Sequence, residues 1–222
     1  PQTFRYAEIL EAYETASGVY TDDSEIYEKA GYVPHIVRGA YDNIKLTTPA
    51  DLIKAPTGVR IGVGYDLHRL VNDRPLILGG ITIPHSKGLL GHSDADVLVH
   101  AVMDAMLSAA NLPDIGVLFP DTDGSLEGIS SMQLLRRVTE LIKFHGYSVG
   151  NISAVITAQE PKLAPYIGGI CESLANAIGI AVYNVNVSAT TAEHLGKIGK
   201  GKAIAASASC LLTENHDRQT DR

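Results

Sequence analysis

The sequence predicts an α/β fold in which helices cover a mixed β-sheet, and three observations carry that expectation. From Gly58 onward, strand-like stretches alternate with helix-like ones, the pattern of a layered α/β domain. Gly and Pro clusters punctuate the alternation. Hydrophobic residues make up 45% of the 222-residue chain, enough for a substantial core, built from Val, Ile, Leu and Ala because Trp is absent and Phe occurs 3 times.

Residues 1–57 differ in texture from the rest. TFRYAEILEAYETA places Tyr6, Ile9, Leu10 and Tyr13 at helical spacing. VYTDDSEIYEKAG follows as a second helix, with Thr21 as its cap and Gly31 as its stop. YVPHIVRG and NIKLTT read as short strands, and ADLIKAPTG joins this region to the next. The region closes no core of its own and reads as one end of a larger domain.

Residues 58–213 form the main domain. VRIGVGYDLH is a strand, and PLILGGITIP is a hairpin turning at Gly79-Gly80. Ser93 caps the next helix, with Asp96 three residues on as in a capping box, and that helix runs to about Ala110. NLPDIGVLFPDTDG is a loop. Ser130 begins a helix with Leu134, Leu135, Val138, Leu141 and Ile142 on its apolar side and Gly146 as its stop. SAVITAQ is a strand, YIGGICESLANAIGI a helix, and YNVNVSATT and KAIAASASCLL the last strands. Residues 214–222 are a polar, disordered tail.

A net charge of −7 argues against nucleic-acid backbones and anionic membranes as partners, while leaving room for a local phosphate pocket. No apolar run is long enough to span a bilayer, and PQTFRYAEIL lacks the pattern of a signal peptide. The missing initiator Met fits a processed or truncated product. Cys171 and Cys210 stand far apart in no CxxC arrangement, which points to a reducing, cytoplasmic compartment without disulfides.

The chemistry concentrates in GYDLHRL and GHSDADVLVHAVMDA. Residues two apart on a strand share a side, so Asp66 and His68 face one way. Residues four apart on a helix share a face, so Asp96, His100 and Asp104 form a polar stripe on an otherwise apolar helix. A buried unpaired charge is costly, and a metal ion would relieve that cost. Asp66, His68 and His100 supply one carboxylate and two imidazoles and leave a coordination position open, which suits catalytic Zn²⁺ and equally the facial triad of Fe(II) enzymes. Asp104 is placed to orient His100 through a hydrogen bond. The plainer alternative is a set of hydrogen-bonded polar residues with no ion.

His92 and Ser93 stand where a helix start favours an anion, although Ser93 alone accounts for a cap. Lys162 in AQEPKLAPY follows a strand end and either reaches a phosphate or is a solvated lysine. Thr190, Thr191 and Glu193 in SATTAEHLG suit a hard cation bridging phosphate oxygens, or else a helix start. Asp114 and the PDTD of residues 120–123 bind hydroxyls or form Asx turns. No Walker motif or dinucleotide fingerprint is present.

Taken in order, RIGVGYDLHRL, GHSDADVLVHAVMDAML, DIGVLFPDTD, AQEPKLAPY and NVNVSATTAEHLG resemble the 2-C-methyl-D-erythritol 2,4-cyclodiphosphate synthase family, over about residues 58–213. The resemblance implies a homotrimer with active sites between neighbouring subunits, each using Zn²⁺ and a second divalent cation, Mg²⁺ or Mn²⁺. Its substrate would be 4-diphosphocytidyl-2-C-methyl-D-erythritol 2-phosphate, in the non-mevalonate route to isoprenoid precursors. Asp66, His68 and His100 would be the zinc ligands and Glu193 the ligand of the second cation. His92 and Thr191 would stabilise the transition state. Ser93, Asp114, Ile115, Gly116, Phe119, Pro120, Asp121, Thr122 and Asp123 would hold the methylerythritol phosphate. Ala158, Gln159, Glu160, Pro161, Lys162, Leu163, Ala164 and Thr190 would hold the nucleotide. The chain departs from the family pattern in LGKIGKGK, where Lys197 replaces an aromatic residue and Lys200 an arginine on the phosphate side.

The first region has its own likeness. PQTF, YTDD and VRGAYDNIKLTTPADL resemble the C-terminal end of 2-C-methyl-D-erythritol 4-phosphate cytidylyltransferase, with Lys45 matching a substrate-positioning lysine. Most of such a domain, including its Gly-rich nucleotide loop, is not in this sequence, so the resemblance implies a remnant of a bifunctional chain without cytidylyl transfer.

Overall fold

The computed structural model describes residues 2–38, 58–120, 122, 124 and 128–214. The expected strand NIKLTT, the ADLIKAPTG junction, Lys45 and most of the polar tail lie outside the described residues. The chain divides into two compact units, Pro1–Ala55 and Pro56–Arg222.

The first unit holds helices α1 (Tyr6–Thr15) and α2 (Asp23–Lys29), with Ala12, Ile26 and Tyr27 buried. The cap of α2 is Asp22, whose carboxylate accepts from Glu25 N at 3.0 Å; Thr21, expected there, instead donates its hydroxyl to Glu25 at 2.8 Å. Residues 32–38, expected as most of a strand, form no regular element, and no strand among the described residues pairs with them.

The second unit is a five-stranded mixed sheet with helices. β1 (Val59–Asn72) leads into the hairpin β2 (Leu76–Leu78) and β3 (Ile81–Ile83), which turns at Gly79-Gly80. β4 (Lys87–Leu89), helix α3 (Val97–Ala109), the short helix α4 (Ile115–Leu118) and helix α5 (Ser131–Phe144) follow. β5 (Tyr147–Thr157), helix α6 (Ile167–Ile178), β6 (Val185–Thr190), the single turn α7 (Gly196–Gly199) and β7 (Ala203–Glu214) complete it. The sheet order is β4-β1-β7-β5-β6, with β5 and β6 parallel and the other neighbours antiparallel.

β1 positions the site through its two faces. Gly62, Gly64, Asp66 and His68 alternate along one side, and Gly62 and Gly64 are pressed against α3. A Cβ on Gly62 would stand 2.1 Å from Ala105 O, and one on Gly64 2.1 Å from Ala101 O. Only glycine permits this approach, and the alanines of α3 complete it. The opposite side of β1 is bare: Val59, Ile61, Val63, Tyr65 and Leu67 are exposed, between 49% and 71%.

Two expectations about α3 are corrected. Its cap is Asp96, not Ser93: the Asp96 carboxylate accepts from Val99 N at 3.2 Å, while Ser93 Oγ accepts from Ala95 N at 3.2 Å, ahead of the helix. The residues before it cannot extend the helix because Ala95 is left-handed, at φ 58°. The loop after α3 is also less irregular than expected, since Asp114 caps the turn of α4 through Val117 N at 3.0 Å.

Candidate active site

A cavity of about 660 Å³ opens beside the middle of β1 and the first turns of α3. Asp66, His68 and His100 converge at it, with potential ligand atoms all within 4.8 Å of one another. Asp66 Oδ2 lies 3.1 Å from His68 Nδ1 and 3.0 Å from His100 Nδ1. Donors bound tetrahedrally at zinc-like distances stand about 3.3 Å apart, so these separations fit one ion. His68 Nδ1 is buried and, among the described residues, faces the Asp66 carboxylate oxygen at 3.1 Å without making a well-aligned hydrogen bond, the signature of an atom that expects a ligand. The residues present therefore fit a divalent cation with mixed N and O ligands.

The electrostatics agree. Burial raises the Asp66 carboxyl, but the hydrogen bond with His100 and the close approach of the His68 imidazole outweigh it and hold the group below its ordinary value. Burial lowers the His68 imidazole, yet the Asp66 carboxylate beside it wins, and the net shift is upward. The cluster favours positive charge on its nitrogen side, whether brought by a proton or by a metal.

Asp104 does not orient His100, contrary to the sequence expectation. Its Oδ1 accepts from Ile115 N at 3.0 Å, anchoring α4 in the cavity wall, and burial raises its carboxyl. Asp96 serves the scaffold too: fully buried, it joins the cap of α3 to the hairpin through Gly80 N at 2.7 Å, and burial pushes its carboxyl up to about 6 against those backbone donors. The groups that meet the far nitrogen of His100 were missed by sequence reasoning. His100 Nε2 lies 3.0 Å from Ser131 Oγ, and Ser131 donates in turn to Asp94. Arg74 was missed as well; it forks onto Gly91 O at 2.9 Å and Ser93 O at 3.0 Å and so holds the loop carrying His92. No local spacing announces these contacts, because each joins segments 17 or more residues apart.

His92, Ser93, Asp114, Ile115, Gly116, Phe119, Pro120 and Thr122 line the cavity with the cluster, whereas Asp121 and Asp123 lie outside the described residues. The residues expected on the nucleotide side gather elsewhere. Ala158, Gln159, Glu160, Pro161, Lys162, Leu163 and Ala164 follow β5, Thr190 ends its parallel neighbour β6, and Thr191 and Glu193 follow it. Ala158 N donates to Thr190 O at 3.0 Å, and His194 N to Gln159 Oε1 at 3.2 Å, so the two segments form one patch. Glu193 accepts from Thr191 Oγ at 2.7 Å, and Glu193 and His194 are both left-handed, at φ 46° and 61°. Two successive non-glycine residues in that region mark a loop held for a purpose other than stability. Lys197 lies in α7 and Lys200 follows it. None of the described residues of this patch lines the cavity.

Comparison with known proteins follows the same division. The YgbB family model matches residues 59–213, and that of 2-C-methyl-D-erythritol 4-phosphate cytidylyltransferase matches residues 1–60. A 2-C-methyl-D-erythritol 2,4-cyclodiphosphate synthase of Clostridium acetobutylicum is 55% identical over 154 residues, covering 69% of this chain and 99% of that protein. A bifunctional enzyme IspD/IspF of Desulforudis audaxviator is 50% identical over 220 residues, covering 96% of this chain but 56% of its relative, so the chain spans little more than half that protein's length. Among solved structures, a CDP complex of IspF from Plasmodium falciparum superposes with a TM-score of 0.63 at 34% identity, over 72% of this chain and 98% of its own. With a family model spanning the whole sheet and relatives matched from end to end, the chain belongs to the YgbB family, and its second unit is an IspF domain preceded by a remnant of an IspD domain.

Proposed function

We propose that this chain cyclises 4-diphosphocytidyl-2-C-methyl-D-erythritol 2-phosphate to 2-C-methyl-D-erythritol 2,4-cyclodiphosphate and releases CMP, a phosphorus–oxygen lyase reaction of the non-mevalonate pathway. The observation that carries the reading is the Asp66–His68–His100 cluster at the cavity, in a chain 55% identical to a synthase named for that product. The substrate's 2-phosphate oxygen attacks the β-phosphorus. The bond from that phosphorus to the bridging oxygen breaks, and CMP leaves with the oxygen. Nucleophile and leaving group belong to one molecule, so the protein needs no nucleophile of its own and acts by positioning and charge neutralisation.

Asp66, His68 and His100 would hold Zn²⁺, and Glu193 a second cation, Mg²⁺ or Mn²⁺. When bound, these ions supply fixed positive charge to phosphate oxygens. His92 and Thr191 donate to the oxygens that gain charge as the new bond forms. Ser93, Asp114 and the residues of α4 grip the methylerythritol phosphate in the cavity, and the Ala158–Ala164 segment with Thr190 takes the cytidine end. The CDP bound by the Plasmodium falciparum relative supports a cytidine nucleotide as ligand.

The cavity and the nucleotide-side patch are separate within one chain, and the apolar face of β1 is uncovered. Both features support a homotrimer in which one subunit's cavity meets its neighbour's patch, with Val59, Ile61, Val63, Tyr65 and Leu67 buried between copies. Residues 58–213 would suffice for this reaction. A phosphorus NMR assay with zinc present tests the reading: CMP and a cyclic diphosphate should appear together, and CDP binding without turnover would refute it.

A further inference from the structure

Both nitrogens of His100 face hydrogen-bond acceptors. Nδ1 is 3.0 Å from the Asp66 carboxylate, and Nε2 is 3.0 Å from Ser131 Oγ. Ser131 is fully buried at the start of α5, and its surroundings leave it one role toward His100. Its single hydroxyl proton goes to Asp94 Oδ1, and its backbone N–H donates to Asp94 Oδ2 at 3.0 Å. A carboxylate only accepts, so the hydroxyl must offer His100 a lone pair, and Nε2 must carry a proton to meet it. Ser93 Oγ, 3.4 Å from Nε2, is a longer, secondary neighbour.

We propose that Ser131 and Asp94 are positioning residues that hold the His100 proton on Nε2 and thereby leave the Nδ1 lone pair aimed at the cluster with Asp66 and His68. The proposal rests on the reading of that cluster as a cation site. Asp94 acts at one remove: it orients the hydroxyl, the hydroxyl orients the imidazole, and the imidazole presents its lone pair. This is the job sequence reasoning gave to Asp104, performed by a serine and a carboxylate from other segments.

Asp94→Asn separates this role from a purely architectural one. Asparagine has the shape of aspartate, and its carbonyl can still accept the Ser131 N–H. Its amide then donates to Ser131 Oγ, which turns the hydroxyl proton toward His100 Nε2 and favours the proton on Nδ1, where it blocks the cation. Zinc affinity, measured by chelator competition on the intact chain without any turnover, should fall about 10- to 100-fold in Asp94→Asn and no further in Ser131→Ala. A role in packing alone would make the isosteric variant the milder one, and a loss in Asp94→Asn of less than about threefold overturns the proposal. Proton NMR of the unaltered chain gives a reading that no variant can spoil: His100 Nε2–H should be hydrogen-bonded and slow to exchange, and rapid exchange overturns the proposal. A parent chain with that protected proton that binds no zinc upholds the relay and removes the cation-site reading instead.

Discussion

Gly64 lies against Ala101 so closely that a Cβ on the glycine would stand 2.1 Å from the alanine's carbonyl oxygen. Two residues beyond Gly64 on its strand is Asp66, and one residue before Ala101 on its helix is His100. The distance between strand and helix therefore sets the 3.0 Å separation of Asp66 Oδ2 and His100 Nδ1. Gly64→Ala should push α3 outward, destabilise the fold by about 3 kcal/mol, and weaken zinc binding along with it. Thermal unfolding and metal titration on one sample check this; full zinc affinity in the variant would show that the glycine contact does not set the site.

Removing a ligand should act on chemistry more than on folding. His100→Ala should lose zinc and more than about 100-fold in CMP release, since a bound metal supplies several kcal/mol of charge stabilisation. Glu193→Gln, on an exposed loop, should keep the zinc and lose dependence on added Mg²⁺ or Mn²⁺. Metal analysis and a cation titration of the rate check the pair, and an unchanged titration in Glu193→Gln would remove Glu193 from its role.

Proton and metal should compete at His68. In the metal-free protein Asp66 is held below 3.8, so its contribution to stability is present above that pH and is lost as pH falls through the lowered value. His68 is raised above 6.5, so its contribution is present below that pH and is lost as pH rises through the raised value. The pair thus favours the metal-free fold most between pH 3.8 and 6.5. A metal needs the imidazole unprotonated, so each pH unit below the raised value costs about 1.4 kcal/mol of apparent zinc binding. The zinc-induced rise in unfolding temperature should therefore be larger at about pH 8 than at about pH 6, where a neighbouring carboxylate keeps more of the histidine charged. Equal shifts at the two pH values would contradict the coupling.

The bare face of β1 predicts assembly. Val63→Glu would place a carboxylate amid Ile61, Tyr65 and the rest of that face without touching the cavity. It should dissociate the proposed trimer and abolish CMP release, while the isolated chain stays folded because Val63 is 67% exposed. Sedimentation and circular dichroism check this, and a fully active monomer would remove the need for a neighbouring subunit.

Much of this was legible in the sequence because it is periodic. The strand bearing Asp66 and His68 and the helix bearing His100 follow from spacing two or four apart, and the hairpin from its Gly79-Gly80 turn, whereas spacing left open whether the three polar residues meet as a cation site, and the resemblance supplied that expectation. Boundaries were less legible. Ser93 has the chemistry of a cap, yet Ala95 turns left-handed and passes the cap to Asp96. Long-range partners were not legible at all: Asp104 is correctly spaced to meet His100, but the backbone N–H of Ile115 claims it, and Ser131, 31 residues away, takes the vacant place. Spacing says which side chains share a face; only the packing of other segments says which of them finds a partner there.

Asp96 shows how the whole arrangement keeps its aim. One buried side chain grips the first turn of α3 with one oxygen and the hairpin tip with the other. The helix cannot roll about its long axis without dragging the hairpin along, so the azimuth of His100, one turn further on, is indexed to the tip at Gly80 rather than left to the compliance of an alanine-rich contact. Loosening that distant latch should misdirect the imidazole while leaving the helix itself whole.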